Sequence, residues 1–117
     1  MTTKNNLFED MAAALEYWVE SATEAITDKN TNLIWTDKEE SFRHIQEALI
    51  TQGINREDVK QVFSESLRGF AFSLLVMIDG GTALSEKGRI FLVDEDGNQL
   101  GDGLQDEFIS YLLDSTE

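Results

Sequence analysis

The chain has 117 residues, 41% of them hydrophobic, a share that supports one core, so a single domain over 1–117 is expected rather than disorder. Its 23 acidic and 9 basic residues give a formal net charge of -14, which repels phosphates and anionic headgroups and disfavours nucleic acid and membrane partners. No cysteine is present, which excludes disulfide frameworks, thiolate metal sites and thiol nucleophiles together.

The opening residues Met1 to Asn6 lead straight into an amphipathic pattern rather than a short apolar segment with a small-residue cleavage site, so no signal peptide is expected and a cytoplasmic location is. Leu7, Met11, Ala14, Leu15, Trp18, Val19, Ala22 and Ile26 recur at helical spacing and predict a first helix to about Asp28. Leu33, Ile34 and Trp35 should fold back onto the core. A second helix is expected from about Lys38 to Gln52, capped by Thr36 or Asp37, with Phe42, Ile45 and Leu49 inward and Gly53 as a left-handed stop. Asn55 caps a third, running to about Ile78, with Glu57 and Asp58 in its first turn. Its second half, Phe70 to Ile78, is apolar on nearly every face, as in a helix surrounded by others, and falls short of the ~20 residues that span a bilayer.

Proline is absent, and glycine crowds the stretch after Asp79. Asp79-Gly80-Gly81 reads as a helix stop and turn. Arg89 to Val93 is β-prone and meets the turn sequence Asp94-Glu95-Asp96-Gly97-Asn98, so a small β-hairpin returning through Gln99 and Leu100 is expected. Leu104, Phe108, Tyr111 and Leu112 predict a short C-terminal helix after Gly103. The expected fold is α+β and mostly α: three main helices, the hairpin and the closing helix.

No motif carries recognisable catalysis. The only histidine, His44, shares a helix with Glu40 and Glu47 at metal-ligand spacing, but any charged solvent face offers the same spacing. Glu16, Glu20 and Glu24 form an acidic ladder without an interleaved lysine, and carboxylates on helices can hold magnesium or manganese for a hydrolase. Glu16, Glu20, Glu40, His44 and Glu47 are therefore the candidate metal residues of that alternative, although Glu-Glu-x-x-Glu followed by Glu-x-x-Asp does not occur. Asp94, Asp96 and Asn98 alternate as calcium ligands do, yet glycine is fourth rather than sixth and Gln105 stands twelfth, which favours an ordinary turn. No Gly-rich phosphate motif and no serine-hydrolase elbow is present, and no cofactor is expected.

Charge distribution is more informative. After Arg89 there is no basic residue, whereas Asp94, Glu95, Asp96, Asp102, Asp106, Glu107, Asp114 and Glu117 are acidic. Such a field steers a cationic partner and speeds association, as in proteins that neutralise basic nucleases or toxins; the same acidity also serves solubility alone. The candidate partner-binding residues are Asp94, Glu95, Asp96, Asp102, Asp106 and Glu107.

The stretch Ile78-Asp79-Gly80-Gly81-Thr82-Ala83-Leu84, then Phe91-Leu92-Val93-Asp94-Glu95-Asp96-Gly97 and Leu104-Gln105-Asp106-Glu107-Phe108, resembles a pattern in small uncharacterised bacterial proteins. The resemblance covers a little over a third of the chain and implies no catalytic residues. Some such proteins lie near toxin and immunity genes, which it implies as a setting. The expected function is thus a small acidic, non-enzymatic, cytoplasmic interaction protein that binds a basic protein, as an immunity protein or inhibitor does. The alternatives are the metal-dependent hydrolase and a structural or oligomerisation module in which Trp18 and Trp35, better placed as core residues, would sit at an interface; both a monomer and a homodimer fit the sequence.

Overall fold

A computed structural model of the chain describes residues 3–115. Glu117, counted above among the carboxylates beyond Arg89, lies outside them, as do Met1 and Thr2 of the N-terminal reading. The regular structure is helical: α1 (Lys4–Thr27), α2 (Glu39–Gln52), α3 (Arg56–Ile78) and α4 (Leu104–Ser115), with one 3-10 turn at Ala83–Glu86.

The expected β-hairpin is not formed, and the α+β assignment gives way to an all-helical one, because the described residues contain no β-strand. Val93 and Gln99 make a single antiparallel bridge, flanked by Leu100 N–H donating to Leu92 C=O and Asp94 N–H to Asn98 C=O, each at 2.9 Å. The Asp94 carboxylate takes the N–H groups of Asp96 and Asn98, also at 2.9 Å each, so a side chain satisfies the turn. A ribbon without a third strand is marginal in water, and the β-prone Ile90 and Phe91 stay about half exposed.

By contact the chain divides into two compact units, a terminal unit of Met1–Ala14 with Arg68–Glu117 and a middle unit of Leu15–Leu67. In the terminal unit Phe8, Ala71, Leu75, Leu104, Phe108 and Leu112 are buried. Leu104, Phe108 and Leu112 stand four residues apart, so one face of α4 supplies half of this core. Phe108 is fully enclosed, its ring 5.3 Å from that of Phe8, 6.0 Å from Phe72 and 6.5 Å from Tyr111. α3 ends in a Schellman turn, with Gly81 N–H donating to Val76 C=O and Gly80 (φ 85°) N–H to Met77 C=O. Asp79, beside that turn, caps α4: its carboxylate accepts the N–H groups of Leu104 and Gln105, each at 3.0 Å.

The segment Phe70 to Ile78 is not enclosed on every face as its composition suggests. Only Ala71 and Leu75 are buried there, while Phe70 is 65% and Leu74 40% exposed. The wider span Arg56–Glu86 holds an 18-residue window of mean hydropathy 1.4, long and apolar enough to cross a membrane by length and composition.

In the middle unit Val19, Thr23, Ala25, Leu33, Gln46 and Val59 are buried, so two of six are polar. The buried Thr23 hydroxyl donates to Val19 C=O at 2.6 Å, one turn back along α1. α1 has no glycine stop, and its last carbonyls need donors. Gln46 Nε2 donates to Ala25 C=O at 2.6 Å and to Asp28 C=O at 3.1 Å, while Arg43 donates to the carbonyls of Lys29 and Thr31 and to Gln46 Oε1. That need turns Gln46 inward and leaves Ile45 of the expected inner stripe 47% exposed. Leu33 does fold into the core, but Ile34 is 89% and Trp35 53% exposed. Trp18, expected in the core, is 49% exposed; Trp35 meets it edge-on at 6.1 Å and Phe42 at 5.3 Å.

Candidate functional site

The acidic residues of the terminal unit are positioned by a loop and by the start of α4. Asp94 opens the loop and takes Asp96 N–H, Asn98 N–H and, at 3.4 Å, the Asn98 side-chain amide. The backbone N–H of Asn98, followed by that of Asp96 and the Asn98 amide, holds the Asp94 carboxyl below its ordinary range, so it stays ionised in weakly acidic solution. Tethering by Asp94 bunches its neighbours: carboxylate oxygens of Asp94, Glu95 and Asp96 lie within 4.8 Å of one another.

The other three candidates are placed differently. Asp102 is 3.8 Å from the Arg89 guanidinium, and its backbone carbonyl accepts from Lys4 Nζ at 2.8 Å. Lys4 also pairs with Glu107 in the first turn of α4, at 2.5 Å. Gly101 (φ 102°) lies under that lysine, where a Cβ would be 3.1 Å from Lys4 Cε. Asp106 is exposed next to Glu107. Arg89 and Lys4 thus pair with Asp102 and Glu107, and among the described residues Asp94, Glu95 and Asp96 are the three carboxylates brought close together.

This cluster borders an open groove of about 390 Å³ lined by Asn6, Leu7 and Asp10 of α1 and by Leu92, Val93, Asp94, Glu95 and Leu100. Leu7, Leu92 and Leu100 are half-buried, whereas Asp10 is exposed. Sequence patterning missed Leu7 and Asp10 as site residues. Their spacing of three residues puts them on one face of α1, but only the fold shows which loop faces them.

The candidate metal residues are arranged otherwise. Glu20 is held by Arg56 and, at 3.2 Å, by Lys60. The hydrogen bond from Arg56, then that from Lys60, lowers the Glu20 carboxyl below its ordinary range, and Glu20 in turn raises Arg56. His44 Nε2 is 3.8 Å from Glu40 and both side chains are exposed. Glu16 is exposed on α1, and Glu47 lines a smaller hollow of about 250 Å³ with Lys29, Arg43, Gln46, Ile50 and Thr51. Among the described residues, the group of three metal-type side chains brought together is Asp94, Glu95 and Asp96, which includes none of these five.

Comparison with family models, with curated proteins and with solved structures finds no match to this chain.

Proposed function

We propose that the protein is a non-enzymatic cytoplasmic interaction protein that binds a basic protein partner through the acidic surface of its terminal unit, acting as an immunity protein or inhibitor does. The observation that supports this reading is the convergence of the Asp94, Glu95 and Asp96 carboxylates within 4.8 Å in a region that contains no lysine or arginine after Arg89. The field of carboxylates held together extends about 8–10 Å at physiological salt, enough to steer an approaching basic surface. Affinity capture from native cell lysate at low and high salt tests it, with an Asp94→Lys, Glu95→Lys, Asp96→Lys variant alongside. A basic protein retained by wild type at low salt, released at high salt and not held by the variant is the expected result. Equal retention by wild type and variant contradicts the reading.

A second reading, self-association, is favoured by the uncovered side of α3, where Phe70 is 65% and Leu74 40% exposed. Two copies that each carry a charge of -14 repel, and Gly69 to Ile78 is a run of ten residues without a charge, the stretch where a second copy meets least repulsion. Sedimentation equilibrium of wild type and Phe70→Glu separates the cases: a dimer that the variant abolishes supports self-association, and a wild-type monomer at high concentration contradicts it.

A further inference from the structure

The segment of residues 89–93 has a chain neighbour on one side only. Val93 and Gln99 face each other, while Asp94 N–H and Leu100 N–H carry the flanking bonds to Asn98 C=O and Leu92 C=O, which makes Val93 and Gln99 a non-hydrogen-bonded antiparallel pair. The N–H and C=O of Val93 therefore point away from Gln99, and the period of two along an extended chain turns those of Phe91 the same way. Among the described residues, the backbone groups of Ile90, Phe91 and Val93 make no hydrogen bond. The edge is also uncovered: Ile90 and Phe91 are 49% and Val93 53% exposed, and a Cβ on Gly88 or Gly97, at its two ends, would meet no atom within 4 Å. Ile, Phe and Val favour strands, and an open row of backbone donors and acceptors beside them is a template for another extended chain.

The order of charges along the segment selects the occupant. Lys87 and Arg89 stand before the apolar residues, and Asp94 and Asp96 follow them. Two copies laid antiparallel bring the cations of each beside the anions of the other, whereas a parallel pair sets like against like. We infer that a second copy of the chain pairs antiparallel along this edge, with Phe91 opposite the partner's Phe91 on the twofold axis and Val93 opposite the partner's Arg89. Each facing pair then exchanges both of its N–H···O bonds, and the exposed rings of Phe91 meet across the axis. The opposed charges offset the repulsion between two chains of net charge -14 where they come closest. Each chain keeps its helical fold, and the contact needs neither the uncovered side of α3 nor a basic partner.

Because the chain has no cysteine, single substitutions report the register. Residues facing each other in a hydrogen-bonded pair have Cα atoms about 5.5 Å apart, within disulfide reach, whereas Val93 and the partner's Val93, four residues out of register, stand about 13 Å apart. In a glutathione redox buffer, full-length Phe91→Cys should therefore form a linked dimer at least about tenfold faster than Val93→Cys; both positions are about half exposed, so neither change empties a core. Equal rates, or no linked dimer from either variant, overturn the proposal. In the wild type, amide exchange at Phe91 and Val93 should slow as protein concentration rises, while that at Ile90, whose N–H points to the other side, should not. Exchange at Phe91 and Val93 that is independent of concentration also overturns it. Lys87→Glu should slow the linking of Phe91→Cys at least about threefold, and Lys38→Glu, the same change of charge in the middle unit, should slow it less. Equal slowing overturns the charge pairing and with it the second copy as occupant. The dimer should persist in Phe70→Glu; its loss there assigns the contact to α3 and overturns the edge.

Discussion

The two units solve the same problem with different chemistry. The terminal unit buries six apolar residues and encloses Phe108 among three other rings, whereas the middle unit buries Thr23 and Gln46 and leaves both tryptophans about half exposed. Apolar burial is non-directional, so the first core is held by area and fit. A buried amide is stabilising only while its partners are in place, so the second, which buries Val19, Ala25, Leu33 and Val59 beside Thr23 and Gln46, depends also on the hydrogen bonds of Gln46. Aromatic residues do not mark the core alike in both units: Phe8 and Phe108 are buried in one, whereas Trp18 and Trp35 of the other are about half exposed.

The strongest way to break this contrast is Phe108→Ala. It should cost about 3–5 kcal/mol in denaturant unfolding monitored on the terminal unit, and a loss below 1 kcal/mol would mean that the ring cluster is not that unit's core. Gln46→Leu keeps size but strands the carbonyl of Ala25 and removes one of the two donors to that of Asp28, which keeps Thr31 N–H, and should cost about 1–3 kcal/mol, with faster amide exchange at the end of α1. An unchanged or raised stability would show the middle unit to be held by apolar area after all. Trp35→Ala, which removes a half-exposed ring and its two edge-on contacts, should cost only about 1 kcal/mol, clearly less than Phe108→Ala. Asp79→Ala removes the cap of α4 and should cost about 1 kcal/mol, visible as fraying at Leu104 and Gln105.

The smallest effect is on pH dependence, and each unit has one reporter. Glu20 in the middle unit and Asp94 in the terminal unit both have lowered folded-state values. A carboxyl depressed on folding contributes stability above its unfolded value and loses it as pH falls through its folded value. Carboxyl NMR should therefore place the Glu20 midpoint below 4.5 and that of Asp94 below 3.8, with both contributions fading in acid below those values. In an Arg56→Met, Lys60→Met variant the Glu20 midpoint should rise toward 4.5 while that of Asp94 stays in place.

Helices were legible where one periodicity governs a segment: α1, the first half of α3 and α4 follow the spacing of Leu7 to Ile26, Val59 to Leu67 and Leu104 to Leu112. The hairpin misled because β-propensity at Arg89 to Val93 is a local property, whereas a strand needs a neighbour, and here the bridge stops at Val93 and Gln99. The inward stripe of α2 was misjudged because hydrophobicity ranks Ile45 above Gln46, although the α1 carbonyls needed donors that only the fold brings near. The same limit applies to the candidate site. Charge and local spacing pointed to Asp94, Glu95 and Asp96, but Asp10 and Leu7 lie more than 80 residues away in sequence and join them only through tertiary structure. The pairing of Lys4 with Glu107 was hidden for the same reason.

The most direct test of the acidic-surface account is the rate at which the purified basic partner associates with the protein as salt is raised, measured for wild type and for a variant reversed at Asp94, Glu95, Asp96 and Asp102. Steered association predicts a wild-type rate that falls at least about tenfold from low to high salt, and a variant that is slow throughout. A wild-type rate independent of salt, or a variant that associates as fast as wild type, would contradict the account.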